Sequence, residues 1–220
     1  LKPEVVAFPK DAEDLKTVVK FVNDNRQANP ELSITPRSRG TDMGGGAIGE
    51  SIVLDVSKHM NKLIKKSVKQ ATVQPGIMYR DFEVETLKNG VILPSYPASR
   101  DLASVGGMIS NNSGGEKSLE FGKTDNFVTE LKMVLADGNE YLVKPLTKVE
   151  LIRKMSQGDY ESNLYKKTFE LLEAHYDEIQ AAKPNVTKDS TGYHLWNVWN
   201  RETGIFDLTK LFVGAQGTLG

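Results

Sequence analysis

Pro36-Arg37-Ser38-Arg39-Gly40-Thr41-Asp42-Met43-Gly44-Gly45-Gly46 is the stretch on which the reading of this chain turns. It stands between two short runs of strand length, Leu32-Ser33-Ile34-Thr35 and Ser51-Ile52-Val53-Leu54-Asp55. Glycine reaches positive φ without steric cost, so a loop this dense in glycine can turn successive N–H groups toward one concavity. The hydroxyls of Ser38 and Thr41 would add donors, and Arg37 or Arg39 a positive charge. A pyrophosphate needs such a nest. A flexible turn uses the same residues, and the loop alone leaves both readings open.

Two nucleotide motifs in the chain fail on their context. Gly44-Gly45-Gly46-Ala47-Ile48-Gly49 satisfies G-x-G-x-x-G, but Glu50 and a β-branched strand follow where a dinucleotide fold needs a helix, and no acid lies about 20 residues on. Gly122-Lys123-Thr124 has the tail of a P-loop, but Lys117 occupies the position of its first glycine.

Outward from the loop, Pro3 to Pro9 reads as extended. Asp11 can cap a helix whose Leu15, Val18, Val19 and Val22 share one face. Downstream come an extended run at 71–74, a helix carrying Tyr79, Phe82 and Leu87, and a strand at Val91-Ile92-Leu93. Residues 94–122 are long, irregular and rich in Gly, Ser, Asn and Pro, the signature of a segment that binds something. Leu131, Met133 and Leu135 alternate before Asp137-Gly138 and Tyr141-Leu142-Val143, which predicts a hairpin. A helix is expected over 160–182, with Leu164, Thr168, Leu172, Tyr176 and Ile179 on one stripe before Pro184. The expected class is α+β: a small α/β lobe over 1–65, then a second lobe over 66–220 built on a larger mixed sheet flanked by helices.

Composition narrows the function. The 28 basic and 29 acidic residues look well mixed, with net charge −1, which gives no basic field for nucleic acid. With no cysteine, disulfides, iron–sulfur ligation and thiol catalysis are excluded within these 220 residues; a cytoplasmic, reducing setting is expected, with peripheral membrane association of the full protein left open. His59, His175 and His194 lack metal-site spacing, and no run approaches about 18 apolar residues, so no transmembrane segment is expected. The apolar, glycine-punctuated stretch 211–220 gives the expectation of a chain truncated before a further domain.

Taken in order, several pieces resemble one family. They are residues 36–41, Gly45-Gly46-Ala47, Val53-Leu54-Asp55, His59-Met60-Asn61, Val73-Gln74-Pro75-Gly76, Gly90-Val91-Ile92-Leu93-Pro94 and Pro97-Ala98-Ser99. Then follow Ser104-Val105-Gly106-Gly107-Met108-Ile109-Ser110-Asn111-Asn112-Ser113-Gly114-Gly115, Phe121-Gly122-Lys123-Thr124, Val134-Leu135-Ala136-Asp137-Gly138, Thr191-Gly192-Tyr193-His194-Leu195 and Gly217-Thr218-Leu219-Gly220. This succession resembles the vanillyl-alcohol-oxidase, PCMH-type FAD-binding fold, nearest to its glycolate oxidase subunit and D-lactate dehydrogenase group.

The resemblance implies FAD as cofactor, with Pro36, Arg37, Ser38, Arg39, Gly40, Thr41 and Asp42 around the pyrophosphate. Pro97, Ala98, Ser99, Ser104, Val105, Gly106 and Gly107 would line the flavin ring and ribityl chain, backed by Asn111, Asn112 and Gly114. Gln216, Gly217, Thr218 and Leu219 would approach the adenosine end. Thr41 stands where histidine-linked members carry their attachment histidine, so the flavin is expected to be non-covalent. Tyr96 and Gln216 stand where an acid is common in the family. The implied partners are a C-terminal substrate domain, a small 2-hydroxy acid and an electron acceptor. The catalytic base is expected outside these residues, leaving this part inactive alone. Two rivals stay open: an NADPH-dependent enolpyruvyl-sugar reductase of the same fold, and a scaffold without flavin. Trp196 and Trp199 are read as core or lobe-interface packing, with a wall of the substrate cavity or a contact for a further domain as the alternative.

Overall fold

The structure, a computed structural model, describes residues 1–186, 188–189 and 192–220; Thr191 of the quoted motif lies outside them. The chain opens with β1 (Val5–Ala7), α1 (Ala12–Asn25), β2 (Ile34–Arg37) and β3 (Ile52–Asp55). Asp11 caps α1 as expected, its carboxylate accepting from the amides of Glu13 and Asp14. The three strands form a parallel sheet in the order β1-β3-β2, with Val5 opposite Ile52 and Arg37 opposite Asp55. Parallel neighbours need a long return, because the chain must travel back a strand's length before re-entering the sheet. Between β2 and β3 that return is the glycine-rich loop itself. Its length is therefore a demand of the topology as well as of any ligand.

Next come the hairpin β4 (Leu63–Lys66) and β5 (Ala71–Val73), then α2 (Tyr79–Leu87), α3 (Val105–Ser110) and α4 (Ser118–Phe121). Ile77, Tyr79, Phe82, Tyr96, Ala103, Val105 and Met108 make a buried cluster under them. The irregular segment 94–122 thus contains two short helices. Val91-Ile92-Leu93 joins no ladder: Gly90, at φ 71°, turns the chain back on α2, and the Leu93 carbonyl accepts from the Tyr79 hydroxyl at 2.8 Å.

The remainder comprises β6 (Leu131–Val134), β7 (Glu140–Val143), β8 (Leu146–Thr147), α5 (Lys148–Met155), α6 (Tyr160–Ala174), α7 (Tyr176–Ala181), β9 (Trp199–Asn200), β10 (Ile205–Phe206) and α8 (Thr209–Phe212). The predicted hairpin is β6–β7, turned at Gly138 with φ 74°. Past Asp55 the strands are shared among small antiparallel sheets, β4-β5, β6-β7 and β8-β10-β9, where one larger sheet was expected. The helix expected over 160–182 breaks at His175, whose φ −115° and ψ 24° leave the helical region. Its stripe still reaches the core: Leu172 is buried, and Leu164, Tyr176 and Ile179 pack on a cluster centred on Tyr165, Trp199, Phe206 and Phe212. Among the described residues no helix is long and apolar enough to cross a membrane.

Candidate functional site

Arg37 closes the base of the loop, with Nη1 donating to the Ala47 carbonyl at 3.0 Å. Gly40, at φ 63°, lies against the Arg37 guanidinium so closely that a Cβ there would collide with it. Arg37 is therefore a brace, and Arg39, which is exposed, is the loop's outward-facing cation. Asp42 accepts from the Gly46 amide at 3.2 Å and closes the other end. Between them, the amides from Arg39 to Gly45 have no acceptor among the described residues. Thr41 is exposed beside them.

The second predicted segment meets this loop directly. Ser104 is the N-cap of α3: its hydroxyl accepts from the Gly107 amide and donates to the Ser38 hydroxyl, which itself reaches the Pro75 carbonyl at 3.4 Å. The amides of Val105 and Gly106 are taken up inside the fold. Val105 donates to the Ile77 carbonyl at 2.9 Å and Gly106 to the Pro75 carbonyl at 2.8 Å. A Cβ on Gly106 would stand 2.6 Å from that same carbonyl oxygen, so this glycine lets α3 approach Pro75. Gly107 is the one that faces the loop, its Cβ position lying 3.1 Å from Ser104 Oγ and 4.0 Å from Ser38 Cβ.

The end of the chain folds back onto the same place. Gly214 and Gln216 donate to the carbonyls of Ile109 and Ser110 at 3.0 and 2.9 Å. Gln216 holds φ 54°, and Gly217 packs against Pro36 where a side chain would clash. A Cβ on Gly46 would be 3.6 Å from Gln216 Oε1, which brings the first and last predicted segments together. Beside this junction lies a cavity of about 320 Å³ lined in part by Asn111, Asn112, Lys123, His194, Gln216 and Thr218. Asn112 is strained at φ 45° and its Oδ1 accepts from the Asp125 amide at 3.0 Å. Thr218 donates to the Ala215 carbonyl and meets the Tyr193 hydroxyl at 2.7 Å, while Leu219 packs into the aromatic core.

Other predicted residues stand further out. Pro97, Ala98 and Ser99 form a turn whose carbonyls at 97 and 99 accept from Arg100, Leu102 and Ala103; its link to the loop runs on through Ser104. Gly114 abuts Ser118 and Lys123, and Gly115 abuts the Tyr96 carbonyl, so these glycines serve close packing. Tyr96 is buried with its hydroxyl on Glu116 at 2.7 Å, which satisfies the position where an acid is common.

Lys123, Tyr193 and His194 stand in the quoted family-like motifs, but sequence reasoning gave none of them a place at the site. Lys123 donates to the Asp189 carbonyl, and burial pushes its ammonium below the usual lysine range against the opposing pull of Asp125 and Asp189. His194 stacks on Trp196 and sits 3.4 Å from the Asp189 carboxylate. Gly122-Lys123-Thr124 lacks the first glycine of a P-loop, yet the link after α4 sets its lysine on the same cavity as the Asn111-Asn112 pair. Trp199 is a core residue, its indole donating to Glu173 at 2.6 Å.

The FAD binding domain family matches residues 3–142. D-2-hydroxyglutarate dehydrogenase of Haemophilus influenzae is 29% identical over 99% of this chain, which covers 21% of that protein. D-lactate dehydrogenase of Anaerostipes hadrus is 30% identical over 100% of the chain, covering 34% of its length. Glycolate oxidase subunit GlcD of Bacillus subtilis is 27% identical over 99%, covering 35%. The chain thus spans about a fifth to a third of these relatives. In fold it is similar to 6-hydroxy-D-nicotine oxidase of Arthrobacter nicotinovorans, with TM-score 0.56, 23% identity, and coverage of 65% of this chain and 30% of that one.

Proposed function

The chain belongs to the FAD binding domain family, and on that premise we propose that it holds FAD non-covalently in the cleft between the two lobes, residues 1–65 and 66–220, as the cofactor half of a dehydrogenase acting on a small 2-hydroxy acid. The observation that carries the proposal is the junction of the loop, α3 and the returning segment 214–217: Ser38 meets Ser104 at the start of α3, and Gln216 bonds the Ser110 carbonyl at its end. The donor set fits the group. A run of unpaired amides from Arg39 to Gly45 suits a diphosphate, with the Thr41 hydroxyl and the Arg39 charge alongside. Gly107 leaves open the space that a Cβ would fill opposite Ser38. The polar cavity beside Asn111, Asn112 and Gln216 suits the more distant hydrogen-bonding parts of the cofactor.

The chemistry supplied by a bound flavin is acceptance of a hydride from the hydroxyl-bearing carbon. This chain's own part would be to bind and orient: the loop amides would take the charged portion, α3 is locked by its cap, and Lys123 sets a partly buried cation at the cavity. The base that removes the hydroxyl proton is proposed to lie in the substrate domain that completes the longer relatives.

FAD titration of the purified chain, read by flavin fluorescence and thermal unfolding, tests this. Ligand at about 1,000 times its dissociation constant adds roughly 4 kcal/mol of stability to a protein with an intact site. A colourless chain with no thermal shift overturns the proposal in favour of the scaffold reading. Rapid bleaching of bound flavin by NADPH, with no reduction by any 2-hydroxy acid in the full-length protein, redirects it to the sugar-reductase reading.

A further inference from the structure

The near-zero net charge conceals a segregation. From Val56 to Arg80 the sequence carries Lys58, Lys62, Lys65, Lys66, Lys69 and Arg80 and no Asp or Glu at all. The structure concentrates most of these cations on the β4–β5 hairpin, whose turn is closed by the Ser67 amide on the Gln70 carbonyl at 2.7 Å. Lys66 is held by Glu85, which also takes Lys88, but Lys62, Lys65 and Lys69 are exposed and have no ion-pair partner among the described residues. The same tip displays aliphatic side chains. Ile64 is 58% exposed, Val68 62% and Leu87 54%, and Asn89 bonds the Ser67 carbonyl at 3.2 Å, which sets the end of α2, with exposed Val91 and Ile92, beside the hairpin turn.

We propose that the hairpin tip and the adjoining end of α2 are a docking surface for an anionic lipid bilayer, with the free lysines on the headgroups and Val68, Ile64 and Leu87 at the acyl boundary. The chemistry selects this occupant. Protein interfaces are depleted in lysine and enriched in aromatic residues and arginine, whereas here the cations nearest the tip are all lysine and no Phe, Trp or Tyr occurs between Val56 and Met78. Single-stranded nucleic acid needs aromatic platforms for its bases, which the same stretch lacks. Exposed lysines beside exposed aliphatic side chains combine electrostatic attraction to an anionic leaflet with apolar area to insert, the two contributions that drive interfacial binding. The ribbon is rooted at the cleft: β5 runs through Gln74 into Pro75, whose carbonyl holds Gly106. Docking would therefore set the cleft at a fixed height of roughly 13 Å or more above the headgroups, the rise of a four-residue strand.

Co-sedimentation of the purified chain with vesicles checks the proposal. The chain is expected to pellet with mixed phosphatidylcholine–phosphatidylglycerol vesicles, to stay in solution with pure phosphatidylcholine, and to be released as salt rises. The double variant Lys65→Gln with Lys69→Gln is expected to weaken partitioning roughly 30-fold, taking each lysine near the surface as one charge contribution. Val68→Asp is expected to abolish it. Since all three side chains are exposed, unchanged FAD binding and unfolding temperature certify that the variants are folded. Equal partitioning to both vesicle types, no response to the double variant, or capture by an acidic peptide with no vesicle binding would each overturn the docking surface, while leaving the flavin proposal to its own titration.

Discussion

The packing around Phe206 and the loop from Arg39 to Gly45 are built on opposite terms. Phe206 is fully buried, with Tyr165, Phe169 and Trp199 rings at 5.9 to 6.3 Å from its centre. The loop has almost no burial: Arg39, Gly40, Thr41, Met43 and Gly44 are all exposed, and its shape rests on Arg37, Asp42 and glycine backbone angles. Folding stability is concentrated where apolar area leaves water, and binding capacity where backbone donors stay in it. The α3 cap joins the two regimes, since Ser104 is buried and yet reaches the loop.

Substitutions can break that division. Phe206→Ala is expected to cost about 3–5 kcal/mol in chemical denaturation while leaving FAD affinity unchanged below the transition. A large affinity loss there would mean that core and cleft are mechanically coupled. Gly106→Ala sits on the boundary, because the new methyl meets Pro75 backbone; about 1–3 kcal/mol of destabilisation and weaker FAD binding are expected together. Ser104→Ala removes the cap and the tie to Ser38, for about 1 kcal/mol by denaturation and a clear rise in FAD dissociation constant by titration. Arg39→Ala should change stability by less than about 0.5 kcal/mol yet weaken FAD binding, with a reduced salt dependence.

The smallest effect is the Glu85 carboxyl. Hydrogen bonds from Lys66 and then Lys88 hold it at about 2 against the ordinary 4.5. A lowered folded value means the contribution is present above pH 4.5 and fades as pH falls toward 2. The melting-temperature gap between the chain and Glu85→Gln should therefore narrow over that window, and remain small throughout because the group is exposed.

Much of this architecture was legible beforehand. Asp11 announced α1, Asp137-Gly138 announced the β6–β7 turn, and the stripe from Leu164 to Ile179 found its core even though His175 splits the helix. Those are local patterns, read within one or two turns of chain. Val91-Ile92-Leu93 misled for the converse reason: β-propensity says that a segment suits a sheet, and cannot say whether an edge is there to receive it.

At the site the same boundary holds. The sequence alone determined which glycines and hydroxyls stand at 36–46, 104–107 and 216–219, since residue type sets which φ values and donors a position can offer. Only tertiary structure decided that Gly106 is reserved for Pro75 and Gly107 for the loop, that Arg37 turns inward as a brace, and that Lys123 and His194 share Asp189 at the cavity. The physical reason is range. A glycine's freedom is an intrinsic property of the residue, but the atom that would collide with its missing side chain belongs to a remote part of the chain, and only folding brings the two together.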